Sequence, residues 1–201
     1  MKTIYLLLVF FLATACDKED PVVPASLLPP ITMTGENTFG CLIDGKFFKP
    51  RDGNGTIGVS TSKGLKILRT EQNNFEISID DFKSDKTTSL IIHLEELFIM
   101  NEGIYQVNES NGLRGLDGND NTYMTCRIWK DSEVGYQRYY SYQNSGLIEI
   151  TKREFSSTSN HIFSGTFKSK LINFNNVNDT ISIEAGRFDI NAFTVDTTTY
   201  N

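Results

Sequence analysis

Residues 75–80 read Phe75-Glu76-Ile77-Ser78-Ile79-Asp80, with apolar and polar side chains in strict alternation. A period of two puts successive side chains on opposite faces of a strand. One set faces a core and the other faces water, the pattern of an antiparallel sheet. The same period recurs where Ile148 and Ile150 alternate with Leu147, Glu149 and Thr151, and where Ile181 and Ile183 alternate with Thr180, Ser182 and Glu184. Between such runs stand turn formers: Asp44-Gly45, Asp52-Gly53-Asn54-Gly55, Asn111-Gly112, Asp117-Gly118 and Ser145-Gly146. Asp44-Gly45, between Cys41-Leu42-Ile43 and Lys46-Phe47-Phe48, predicts a type I′ hairpin. Ser89 to Met100 fits both a helical stripe and a ladder; the expectation is a strand to about Leu94 followed by a short turn. Roughly ten strands so spaced predict an all-β fold, a single antiparallel β-sandwich or barrel-like domain.

Upstream the character changes. Four of the five prolines, Pro21, Pro24, Pro29 and Pro30, fall between Asp17 and Asn37. Proline lacks an amide donor and fixes φ, so this stretch is expected to stay out of any ladder and act as a semi-rigid tether. Before it, Lys2, the apolar run Ile4 to Leu12 and the small residues Ala13-Thr14-Ala15 read as a secretory leader, too short for a membrane-spanning helix. The expected organisation is a signal peptide over 1–15, a tether over 16–38 and a β-domain over 39–201. Of the 201 residues 39% are hydrophobic and 22% charged, which excludes a disordered chain and a multi-span membrane protein. A net charge of −6 with no basic run argues against a nucleic-acid partner.

The signals for chemistry are sparse. Only His93 and His161 could serve as a base near neutral pH; His93 lies in an apolar run and His161 beside the polar stretch Ser156 to Asn160. No G-x-S-x-G, P-loop, dinucleotide fingerprint or H-E-x-x-H occurs, so no catalytic residue, metal ligand or cofactor is assigned, and catalysis is left open only to carboxylates. Asp117-Gly118-Asn119-Asp120-Asn121 is oxygen-rich but lacks the spacing of a calcium loop and reads as a turn. By alternation Cys41 and Cys126 both point inward, and in an oxidising compartment they are candidates for a disulfide; two separate buried thiols are the alternative. If Met124, Cys126 and Ile128 face the core, then Tyr123, Thr125, Arg127 and Trp129 share the other face, near Tyr136, Tyr139, Tyr140 and Tyr142. Tyr123, Arg127 and Trp129 are thus a candidate glycan-binding row, because exposed aromatics beside arginine and hydroxyls stack on sugar rings. A covering loop would instead make that face a second core.

Ala13-Thr14-Ala15-Cys16 resembles a bacterial lipobox, which implies that Cys16 is freed by cleavage and lipidated, anchoring the chain to a membrane. Lys18, Glu19 and Asp20, directly after it, resemble the surface-export signal of Bacteroidota lipoproteins, and imply the outer face of the outer membrane. Asn37-Thr38-Phe39-Gly40-Cys41-Leu42-Ile43-Asp44-Gly45-Lys46, Ser164-Gly165-Thr166-Phe167 and Gly186-Arg187-Phe188-Asp189 resemble the opening and closing motifs of a Bacteroidota lipoprotein family built on a domain of unknown function. That resemblance implies a small secreted β-domain and brings no catalytic residues. The expected function is therefore an outer-membrane, surface-facing lipoprotein with a noncatalytic β-domain for partner binding or an envelope structural role. The alternatives are a glycan-binding accessory module using the aromatic face and a small carboxylate-based hydrolase.

Overall fold

The computed structural model describes residues 27–55, 62–70, 72–97, 99–113, 118–156 and 160–201. The leader, Cys16, the Lys18-Glu19-Asp20 segment and Asp117 lie outside the described residues. The described elements are β1 (Thr38–Ile43), β2 (Lys46–Phe48), β3 (Leu65–Arg69), β4 (Phe75–Asp80), β5 (Ser89–Leu94), β6 (Gly103–Val107), β7 (Tyr123–Trp129), β8 (Tyr136–Tyr140), β9 (Gly146–Phe155), β10 (His161–Asn173), β11 (Asn176–Asn191) and a 3-10 turn, Val195–Thr197. The fold is all-β, as the alternation predicts. A single antiparallel sheet runs β2-β1-β11-β10-β8-β7-β5-β4-β3, with β9 and then β6 branching from β10. The Asp44-Gly45 hairpin joins β1 to β2 with both residues at positive φ, as a type I′ turn requires. Ser89 to Leu94 is a strand followed by a turn.

β10 is where the sheet divides. Its 13 residues lie against β11 on one side, while on the other they pair with β9 from His161 to Ser169 and with β8 at Ile172 and Asn173. At the fork the Gly146 backbone is so close that a Cβ there would stand 2.2 Å from the Lys168 carbonyl oxygen, so only glycine fits. The sheet curls so that its apolar face encloses one core that includes Phe39, Ile77, Leu94, Met124, Ile148, Phe163, Phe188 and Ile190. Its far ends meet without a continuous ladder. Arg51, just after β2, bridges in parallel to Asp81, just after β4, and its guanidinium holds the Asp81 carboxylate at 2.5 and 2.6 Å.

Residues 37–46, 164–167 and 186–189 are neighbours in space. Gly165 stands opposite Phe188 and Phe167 opposite Gly186, so each ring lies over the glycine of the facing strand. A Cβ on Gly186 would fall 2.4 Å from the Phe167 ring, and one on Gly165 would fall 2.8 Å from Phe188. Phe39 of β1 pairs with Phe188 and packs its ring 5.4 Å from that of Phe167. In the same register Ser164 faces Asp189, and its hydroxyl donates to the carboxylate at 2.6 Å. The amides of Thr34, Gly35 and Glu36 donate to the same carboxylate at 2.9–3.1 Å, although Asp189 is only 1% exposed.

That contact docks the N-terminal segment on the domain. Residues 28–37 form no strand, as the prolines predict, yet they do not stand clear of the domain: Leu28 is buried, Pro29 packs on Gly40, and Arg187 donates to the Pro29 carbonyl. A second departure lies in β11. Its core residues are odd-numbered at Ile181 and Ile183 but even-numbered at Phe188 and Ile190, because Ala185, at φ 49°, forms a bulge against both β1 and β10. A third concerns the cysteines. Cys41 and Cys126 do point inward, but they are free thiols rather than a disulfide. β11, β10 and β8 separate their strands, so they could meet only across the core. Burial raises the pKa of both thiols, and their mutual repulsion raises that of Cys41 further.

Three outcomes follow. Gly186→Ala should cost about 1–3 kcal/mol by overpacking, seen as a Tm lowered by several degrees. Burial alone would raise the pKa of Asp189, but Ser164 and the backbone donors of Glu36 and Gly35 outweigh it and hold the carboxyl below its ordinary value. A depressed folded-state pKa contributes stability that is fully present above the unfolded value, about 3.9, and is lost as pH falls through the folded one. Denaturant midpoints should therefore drop as pH falls below about 4, while Asp189→Asn should be less stable at pH 7 and show a shallower acid loss. Finally, Cys41 and Cys126 should resist alkylation in the native protein and react fully on unfolding without reductant; a bridge in the purified protein would leave both unlabelled.

Candidate functional site

The outward face of β4, β5, β7 and β8 is built as rows, because register aligns alternate residues of neighbouring strands. Glu76, His93 and Tyr123 form one row; Ser78, Ile91, Thr125 and Tyr140 the next; Asp80, Ser89, Arg127 and Arg138 the third. Trp129 and Tyr136 pair beyond them.

The first row is closed. The segment after β6 is stitched to the sheet by Asn108 N–H donating to the Thr122 carbonyl and Ser110 N–H to that of Ser141. The Tyr123 hydroxyl donates to the Leu113 carbonyl at 2.9 Å, so the covering loop is tied down from beneath. Under it Tyr123 stacks on His93 with ring centroids 4.3 Å apart, and Glu76 Oε1 lies 3.5 Å from His93 Nδ1 and 3.4 Å from the Tyr123 hydroxyl. All three are fully buried. Glu76 and Ser78 therefore do not face water as alternation alone predicts, and Tyr123 does not belong to a ligand-binding row. The physical reason is the loop, which turns this end of the face into a second small core. His93 Nε2 has no hydrogen-bond partner among the described residues.

The third row and the pair beyond it are open. The Arg127 guanidinium lies 3.6 Å over the Tyr136 ring, Trp129 meets Tyr136 edge-on at 5.1 Å, and Lys86 places its ammonium 4.2 Å over Trp129. Trp129 is half-buried and Arg138 is exposed. Beside them runs a groove of about 280 Å³ lined by Ser89, Ile91, Thr125, Arg127, Arg138 and Tyr140, with Gly112 forming part of its wall. Gly112 has φ +77° and sits against the Tyr140 ring where a Cβ would come within 3.1 Å, so glycine is what lets the backbone pass this close to the ring. Ser89 is engaged, its hydroxyl donating to Asp80 at 2.5 Å. Among the described residues the groove lining includes no carboxylate.

Of the proposed row, Arg127 and Trp129 stay together and Tyr123 leaves it. Tyr139 is also lost: it faces the core opposite Cys126 and donates its hydroxyl to Asp179 at 2.7 Å. Sequence reading missed Arg138 and Lys86. Arg138 was legible, since it alternates with Tyr136 and Tyr140 in β8; Lys86, on the β4–β5 connection, has no such periodic signal. A different cleft, of about 390 Å³, holds Glu95 and Glu96. Burial raises the Glu95 pKa, as do Asp120 and Glu96, but among the described residues no histidine or cation lines that cleft. Asn119 of the oxygen-rich turn spends its amide locally, accepting from Asn111 N–H and donating to the Glu109 carbonyl.

Comparisons with protein-family models, curated proteins and solved structures find no match.

Proposed function

We propose that this chain is a lipoprotein of the outer membrane, facing the cell exterior, whose β-domain binds glycan without catalysing a reaction. The anchor rests on the leader and Cys16, and the orientation on Lys18, Glu19 and Asp20. The observation that carries the binding reading is the half-open Arg127, Tyr136 and Trp129 stack beside a polar groove. Aromatic rings offer apolar faces to the C–H side of a sugar, and the guanidinium and hydroxyls offer partners to its edge. Lys86 covers one Trp129 face only through an exposed cation–π contact of about 0.5–1 kcal/mol, a cost a stacking sugar can meet.

The test has a cellular and a binding arm. Cys16→Ala should abolish palmitate incorporation and membrane retention. Trp129→Ala should weaken retention on polysaccharide gels about ten- to thirtyfold, as expected for losing a central aromatic worth about 1.4–2 kcal/mol, with little change in Tm. Unchanged retention together with a Tm lowered by many degrees would make Trp129 a packing residue and overturn the reading.

A further inference from the structure

We infer that the glycan this face accepts is acidic, a uronate polysaccharide whose carboxylate is held by Arg127 and Arg138. The inference rests on the binding reading above and adds the chemical class of the ligand.

Arg127 and Arg138 are direct partners in the β7–β8 ladder, on the same outward face, and both line the groove. Directly opposed residues hold their Cβ atoms about 4.5–5.5 Å apart, and like charges so placed destabilise the pairing. The chain has 25 acidic residues against 19 basic ones, so a neutralising carboxylate would be easy to supply. None is supplied: among the described residues the ion pairs of lysine and arginine are Arg51 with Asp81, Lys63 with Asp52, Lys130 with Asp179 and Lys152 with Glu154. The carboxylate of their own row, Asp80, lies on β4, two strand spacings or about 10 Å from Arg127, and accepts the Ser89 hydroxyl instead. Arg127 is further fixed by its stack on Tyr136, which leaves the edge of the guanidinium free to donate. The Tyr140 hydroxyl, without a hydrogen-bond partner among the described residues, adds a donor at the groove wall.

Among the described residues the site therefore presents two guanidinium forks and no acid, the arrangement that recognises a planar carboxylate through paired charge-assisted hydrogen bonds. Trp129 and Tyr136 lie one step along the same face, about 6.6–6.8 Å away, so one sugar can place its carboxylate at the arginines and its ring against the aromatic pair. That combination favours a charged saccharide over an anionic peptide, which has no use for the aromatic step, and over a neutral glycan, which leaves the arginine repulsion unrelieved.

The full-length protein in detergent is run through affinity gels containing polygalacturonate, alginate, methyl-esterified polygalacturonate or polyglutamate. The expected result is retention by an acidic glycan, falling at least tenfold with the esterified polymer and at least tenfold in Arg138→Gln, whose Tm should hold or rise as the like-charge pair is removed. Arg138→Glu should abolish retention, and raised salt should weaken it. Equal retention by esterified and free polymer, unchanged in Arg138→Gln, would overturn the acidic class while leaving glycan binding in place. Equal Arg138-dependent retention by polyglutamate would assign the site to an anionic polypeptide and overturn the inference. No retention by any glycan, charged or esterified, would overturn the binding reading itself.

Discussion

The carboxylate of Asp189 is the constraint on which the rest of the domain depends. It is almost fully buried, and a buried charge is tolerable only where donors replace the water it has lost. Three amides and one hydroxyl do so here, drawn from the N-terminal segment and from β10. One side chain thereby fixes the register of the longest strand pair and docks the segment that enters from the N-terminus. Removing a donor set of this kind leaves an uncompensated charge, whereas an exposed pair such as Lys152 with Glu154 contributes about 0–1 kcal/mol. The crossed Gly165/Phe188 and Gly186/Phe167 pairs lock the same register by shape, since a one-residue slip would drive a ring into a backbone that has no room for it.

From that register the site follows. β10 can pair with both β9 and β8 only because it outlasts β9 at Ser169, and β8 then aligns β7, β5 and β4 in turn. Residues two apart on each strand consequently fall into the rows that hold the arginines and aromatics. The loop after β6 divides those rows into a closed half and an open half. In the closed half His93, Tyr123 and Glu76 pack against one another, fully buried beneath the loop.

Strand identity was legible because alternation is a local property: β4, β5, β9 and the Asp44-Gly45 hairpin could be read from a few residues each. What was not legible depends on partners distant in sequence. The Ala185 bulge changes the parity of β11 and shows only as a switch from odd to even apolar positions. The burial of Glu76 and Tyr123 depends on a loop about 10 residues from one and over 30 from the other, with no apolar pattern to announce that it folds over the sheet. The docking of residues 28–37 rests on donors to an aspartate some 155 positions away. The inward orientation of Cys41 and Cys126 was readable, but whether they pair was not, since period two gives direction and carries no distance. The site was half legible for the same reason: Arg127 and Trp129 share a strand, while Arg138 joins them only through the β7–β8 register.

Across the sheet, local choices agree with the whole. Apolar residues face the core, glycines stand where rings need space, and the hairpin turn carries the residues its geometry demands. Sequences specify one structure through this kind of agreement, and departures from it collect where something other than stability is selected. His93 Nε2 is one departure, but it lies where nothing can reach it. Arg127 opposite Arg138 is another, and it is open to solvent beside an aromatic step. Replacing either arginine with a carboxylate would relieve the repulsion without disturbing the core, because both side chains lie on the outward face. The fold thus has a cheap way to avoid the conflict and does not take it, which sets this pair of charges apart from the structural ones as the place where an anion completes the surface.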